Sequence, residues 1–227
     1  MIEKEVLIYS DLGVCQEGAL QIERALFEDL RISTRRIDAK ELLKGRWQKN
    51  TSSLIMPGGR DIFYHKALYP QGTKILREFV EEGGTYLGIC AGAYFASAMI
   101  EFEKGGDLEV LGTRDLGFFP GVAIGPAYGL GKFGYLGGEG SRVAQLRLGQ
   151  EVVSAYFHGG CFFSEAEKFS DVTIIASYQD IPKNPAAMIS CKRGRGLAVL
   201  SGVHWEHPLT ERRSLLKKIN DKSFDLI

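Results

Sequence analysis

A chain of 227 residues, 44% apolar and 25% charged, can bury a large core without disulfide staples. Its 28 basic and 28 acidic side chains cancel, which argues against a polyanionic partner, and no nucleic acid is expected to bind. Cys15, Cys90, Cys161 and Cys191 are widely spaced without a C-x-x-C pair, so no metal, no cofactor and no disulfide framework is expected.

Met1-Ile2-Glu3-Lys4-Glu5 is polar and leads directly into an apolar strand over 6–10. It has no secretory pattern, and no apolar run of about 18 residues follows anywhere, so no membrane association is expected and the cytoplasm is the expected compartment. The spacing of Ala19, Ile22, Leu26 and Leu30 predicts an amphipathic helix over 17–30. A strand over 33–38 and a short helix over 39–47 are expected next. Ser53-Leu54-Ile55-Met56 reads as a third strand, stopped by Pro57-Gly58-Gly59. Ile75, Leu76, Phe79 and Val80 mark one face of a helix over 72–82, which Gly83-Gly84 ends. Another strand is expected over 86–89. This alternation of short apolar strands and helices predicts a parallel sheet covered on both faces, with functional loops beyond the carboxyl ends of its strands.

From 102 to 148 the helical period disappears and glycine and aromatic residues crowd in, which predicts loops and short antiparallel strands. Glu101 and Glu103, read just after the elbow helix, are either a paired-carboxylate site or, as is usual at a helix exit, solvated acids. Strand signals resume at 152–157, 172–177, 186–191 and 197–201. The last two flank Lys192-Arg193-Gly194-Arg195-Gly196, a hairpin turn. A helix over 210–219 closes the chain, with Arg212, Arg213, Lys217 and Lys218 on its solvated face. The whole, 1–227, is expected to be one α/β domain.

The chemistry concentrates in Tyr86-Leu87-Gly88-Ile89-Cys90-Ala91-Gly92-Ala93-Tyr94. An apolar strand ends in a cysteine with glycines two residues before and after it, and a helical segment follows: the pattern of a nucleophile elbow. A thiol nucleophile needs a base, and the base needs an orienting group. His204 is delivered by the strand over 197–201, and Glu206 follows two positions later. If that segment is extended, both side chains point the same way, so Glu206 can orient the imidazole. Gly58, Gly59 and Ala91 offer backbone N–H groups for an oxyanion. Arg60 and Asp61, just past that loop, are candidates for substrate contact: Arg60 either clamps a carboxylate or pairs internally. Tyr94 and His158 are further candidate substrate contacts, with core packing and a structural hydrogen bond as their alternatives. Tyr64 and His65 are candidates for the same mouth.

The combination Met56-Pro57-Gly58-Gly59-Arg60-Asp61, Gly88-Ile89-Cys90-Ala91-Gly92-Ala93-Tyr94-Phe95-Ala96-Ser97, Leu116-Gly117-Phe118-Phe119-Pro120-Gly121 and His204-Trp205-Glu206 resembles the class I glutamine amidotransferase-like superfamily. Within it, the chain is most similar to the N-terminal domain of eukaryotic-type biotin–protein ligases and its stand-alone bacterial relatives. The resemblance runs from about Val6 to His207. It implies a flavodoxin-like α/β fold, a mostly parallel sheet with an antiparallel extension, and a Cys90–His204–Glu206 triad. It further implies a cysteine-dependent amide hydrolase or transferase acting on a small-molecule or peptide-like substrate. A non-catalytic ligand-binding or regulatory module and a cysteine peptidase are the alternatives. One departure matters: glutamine-using members carry Gln soon after the elbow, where this chain has Ala93 and Tyr94, so simple glutaminase activity is not expected. Only 31 residues follow Gly196, so no biotin-ligase activity is expected either.

Overall fold

The structure, a computed structural model, describes residues 4–223. Strands β1 (Glu5–Tyr9), β2 (Thr34–Ile37), β3 (Thr51–Met56) and β4 (Thr85–Ile89) pair in parallel in the order β2-β1-β3-β4. Every residue of β3 and β4 is buried, as expected of strands covered on both faces. Successive side chains of one strand enter different cores. Leu54 and Met56 join Leu76, Phe79 and Val80 of α4 (Gln71–Glu81). Ile55 joins Ala19, Ile22, Ala25 and Leu26 of α1 (Gln16–Leu30) on the other face. Each large aliphatic buried this way contributes about 2 kcal/mol.

The chain returns to this half at its far end. β13 (Gly196–Ser201) lies parallel beside β4, with Ser201 opposite Ile89. β12 (Ala186–Arg193) pairs with it antiparallel, and the turn between them is the expected hairpin. Gly194 sits there at φ +56°, and a Cβ on it would lie 2.6 Å from the Glu81 carbonyl at the end of α4.

Beyond β12 the sheet continues through β10 (Phe162–Phe163), β7 (Phe119–Gly125), β5 (Ser97–Phe102) and β6 (Val110–Thr113). β11 (Val172–Tyr178) pairs with β12 and with β8 (Arg142–Leu148), which pairs with β9 (Glu151–Phe157). The mostly parallel α/β fold with an antiparallel extension is therefore present. The extension is broader than loops and short strands, since β7 and β8 have seven residues each.

Several elements differ from the sequence reading. The helix expected over 39–47 stops early, as α2 (Ala39–Leu42), where the Trp47 indole donates to the Leu42 carbonyl at 2.9 Å. α3 (Asp61–Leu68) was not expected; its buried face is Asp61, Tyr64 and Leu68, so it lacks an apolar stripe. Glu101 and Glu103 do not follow a helix. They lie at the end of β5, and Glu103 is buried, its carboxylate accepting the Gly131 N–H at 2.8 Å. The last helix is α6 (Arg212–Ser223), and Arg212 is not a solvated cation, because it bridges Glu28 and Asp29 of α1 at 3.2 Å. Among the described residues, no helix is long and apolar enough to cross a membrane.

Candidate active site

Cys90 stands immediately after β4 with φ +49° and ψ −104°, a backbone conformation that a Cβ-bearing residue adopts only when its surroundings impose it. The surroundings do so through hydrogen bonds and close packing. The Cys90 N–H donates to the Ser201 carbonyl of β13 at 2.8 Å, and its carbonyl accepts from Ala93 and Tyr94 of α5 (Ala91–Phe95) at 2.9 and 3.0 Å. The flanking glycines permit the crowding. A Cβ on Gly92 would lie 2.1 Å from the Met56 carbonyl, and one on Gly88 would lie 2.6 Å from the Gly92 carbonyl. The Tyr86 hydroxyl locks the turn by donating to that same Gly92 carbonyl at 2.7 Å.

His204 is fixed by its backbone. Its N–H donates to Tyr156 of β9 at 2.8 Å, and its carbonyl accepts the Thr210 hydroxyl at 2.7 Å. The segment after it is a turn rather than an extended strand, with the His207 N–H donating back to the His204 carbonyl at 3.2 Å. The turn still brings His204 Nδ1 to 2.8 Å from Glu206 Oε1. A carboxylate only accepts, so Nδ1 donates to it, which turns Nε2 toward a second partner. Glu206 is 1% exposed and the His204 side chain 16%. Burial works against the imidazolium, but the Glu206 charge and hydrogen bonding to Cys90 and Glu206 outweigh it. The His204 pKa therefore lies well above its ordinary value. Cys90 and His204 are neighbours across Gly58, and the Cys90 thiol itself donates to the His158 carbonyl at 3.7 Å.

The Pro57-Gly58-Gly59 loop closes the third side. A Cβ on Gly58 would meet His204 Cε1 at 2.9 Å and Cys90 Cβ at 3.6 Å, so only glycine allows this approach. Gly59, at φ +143°, is braced against the loop after β1: Cys15 N–H donates to the Gly58 carbonyl at 2.9 Å and Arg60 N–H to the Gly13 carbonyl at 2.8 Å. Tyr64 of α3 shares its hydroxyl proton between the Pro57 and Gly58 carbonyls, at 3.2 and 3.1 Å. Among the described residues, the N–H groups of Gly58, Gly59 and Ala91 meet no backbone acceptor.

The remaining candidates divide. Asp61 turns inward to a buried ion pair with Arg114, Oδ2 to Nη2 2.7 Å. Burial raises its pKa despite the opposing charge of Arg114. Arg60 lies at the mouth, with its guanidinium 4.6 Å from the Tyr135 ring centroid. Tyr94 is buried and donates to the Gly159 carbonyl at 3.1 Å while walling the cleft. His158 contributes its carbonyl to Cys90; its ring Nε2 meets the Glu139 carbonyl at 3.2 Å instead. His65 stacks on Tyr69, with ring centroids 5.0 Å apart, and does not line the cleft. Arg114, Phe102, Phe133 and Tyr135 complete the surroundings and carried no sequence signal, since all come from the glycine- and aromatic-rich region.

The cleft at Cys90 holds about 30 Å³, roughly one water. A larger groove of about 690 Å³ along α1 touches the site only through Glu206 and contains no nucleophile, so the small cleft is where chemistry is available. Among the described residues, no group of His, Cys, Asp and Glu is arranged to hold a metal ion.

This arrangement has relatives. The fold is that of a glutamine amidotransferase crystal structure, at TM-score 0.68 and 21% identity, covering 96% of this chain and 98% of that one. An uncharacterized protein of Chlamydia muridarum is 42% identical over 211 residues, 90% of this chain and 81% of its own length. A biotin–protein ligase of Schizosaccharomyces pombe is 37% identical over 227 residues, and the match spans 96% of this chain but only 36% of that enzyme. Residues 4–225 match the family described as biotin-protein ligase, N terminal. The chain belongs to that family, the N-terminal domain of biotin–protein ligases, on a glutamine amidotransferase-like fold.

Proposed function

We propose that the protein is a cysteine-dependent amide hydrolase or amidotransferase in which Cys90 attacks, His204 moves the proton and Glu206 orients His204. The observation that carries this reading is the His204 imidazole, held 2.8 Å from Glu206, with its Cε1 and the Cys90 Cβ crowding the same face of Gly58. In the first step Sγ, its proton held on the His204 imidazolium, bonds to the amide carbonyl carbon as the C=O π pair moves onto oxygen. The oxyanion is met by backbone N–H groups of Ala91 and of Gly58 or Gly59. The C–N bond then breaks, and His204 returns its proton to the leaving nitrogen. Water next attacks the thioester, His204 takes its proton, and the C–S bond breaks to release the acid and the thiol.

Selective alkylation near neutral pH tests this. Cys161 and Cys191 are buried, and burial pushes the Cys161 thiol well up and that of Cys191 up to about 12, so both stay silent. Exposed Cys15 is the comparator. Cys90 is expected to react faster than Cys15, and His204→Ala to remove the advantage. Equal rates at Cys90 and Cys15 would sink the reading.

A second reading, a regulatory module that retains the site without turnover, is favoured by the match to 36% of a longer ligase. The narrowness of the cleft favours it too. Rapid alkylation of Cys90 with no hydrolysis across a panel of amides would select it.

A further inference from the structure

We propose that Arg60 recognises a carboxylate, and that the substrate of the Cys90 site is a small amide carrying a carboxylate close to its scissile carbonyl. Resting on the reading of Cys90 as the nucleophile, this assignment comes from the charges around the cleft.

Two charged side chains line it, Asp61 and Arg60. The charge of Asp61 is already met: Arg114 Nε and Nη2 approach Oδ2 at 2.8 and 2.7 Å, with both side chains nearly buried. Arg60 is different. Among the described residues, no carboxylate lies within ion-pair distance of it, as at Arg31 and Arg142, whereas Arg35, Arg36, Arg77 and Arg114 each meet at least one. It lies instead against two aromatic rings, with its guanidinium carbon 4.6 Å from the Tyr135 centroid and 5.2 Å from that of Phe63. These rings and the Tyr135 hydroxyl confine the guanidinium, and no carboxylate among the described residues takes its remaining N–H donors. The result is a confined cation whose natural complement is a carboxylate bound through two parallel hydrogen bonds.

Its position ties this fork to the chemistry. Arg60 follows Gly59 directly, and its backbone is pinned by the 2.8 Å bond to the Gly13 carbonyl. An acid bound there sits beside the N–H groups expected to receive the oxyanion. The other walls, Tyr94, Phe102 and Phe133, offer no competing charge. The cleft volume of about 30 Å³ admits only a small group beside the sulfur.

A pair of alkylating reagents of nearly equal size separates charge recognition from thiol reactivity. Iodoacetate and iodoacetamide both form an S–C bond and release iodide, but only the first is an anion. The readout is the ratio of their rates at Cys90, divided by the same ratio at Cys15. His204 attracts the anion in every variant, so the change on altering Arg60 isolates the guanidinium. Arg60→Gln is expected to lower the ratio about tenfold, and added salt to narrow the wild-type preference. Arg60→Lys is expected to keep part of the preference. Silence of Cys161 and Cys191 reports that each variant is folded. Slowing of alkylation by succinate, or by a tripeptide with a free C-terminus, identifies the source of the carboxylate. An unchanged ratio in Arg60→Gln overturns the assignment while leaving the nucleophile intact. A Cys90 inert to both reagents overturns the proposed function, and the assignment with it.

Discussion

The parallel half of the sheet and the segment over 126–141 both border Cys90, and both carry glycines, yet Gly58 and Gly92 in the first differ in meaning from Gly129 and Gly131 in the second. In the parallel half they permit contact: Gly58 touches His204, and Gly92 presses on the Met56 carbonyl. In the 126–141 segment Gly129 and Gly131 have positive φ and nothing within 4 Å of a would-be Cβ. At those two positions the backbone only turns and side chains make the contacts, although Gly140 approaches the Lys132 carbonyl, at 2.6 Å from a would-be Cβ. Phe133 packs between Phe102 and His158, with centroids 5.3 and 4.8 Å away. Glu103 holds Gly131, and the Glu139 carbonyl meets His158. Backbone approach therefore builds the nucleophile's surroundings, while inserted side chains decide how much room it has.

That contrast can be tested one substitution at a time. Gly92→Ala forces a methyl group against a carbonyl and is expected to cost about 4 kcal/mol in denaturant unfolding. If it costs no more than Gly131→Ala, the distinction collapses. Phe133→Ala is expected to cost about 3 kcal/mol. It should also speed alkylation of Cys90 by N-ethylmaleimide relative to iodoacetamide, since the cleft widens; an unchanged ratio would mean that Phe133 does not set the opening.

Glu206→Gln removes the charge that supports the imidazolium, so His204 should titrate at lower pH by ring NMR. Alkylation of Cys90 should slow about tenfold, roughly 1.4 kcal/mol of barrier. The sign for stability follows from the raised folded pKa. Stabilisation is complete below the unfolded value of about 6.5 and is lost as pH rises through the folded value. The wild type should therefore lose more stability on that rise than Glu206→Gln does. The smallest effect is expected at Gly131→Ala, about 1 kcal/mol for a left-handed backbone with open space around it.

The parallel half could be read from its sequence because strand alternation, helix period and the elbow glycines are local patterns. β1, α1, β3, α4 and β4 fall where those patterns predict them. The candidate residues Cys90, His204, Glu206, Gly58, Gly59 and Ala91 do converge, although the turn at Trp205 was not foreseen. α3 was missed because its buried face mixes an acid, a tyrosine and a leucine rather than a hydrophobic stripe. Asp61 found its partner in Arg114, far along the chain, and no local pattern announces such a pair. The same is true of Phe133 and Tyr135, whose positions depend on where β5 and β9 place the surfaces they rest on.

The register between β4 and β13 also orders events during synthesis. Cys90 follows a strand that is made early, while His204 follows the last strand of the sheet. The two meet only after β12 and β13 have been translated and docked beside β4. Such long-range pairing forms late because the intervening chain must first be ordered. Whatever reactivity the thiol gains from the imidazole is therefore withheld from the nascent chain and arrives with completion of the sheet.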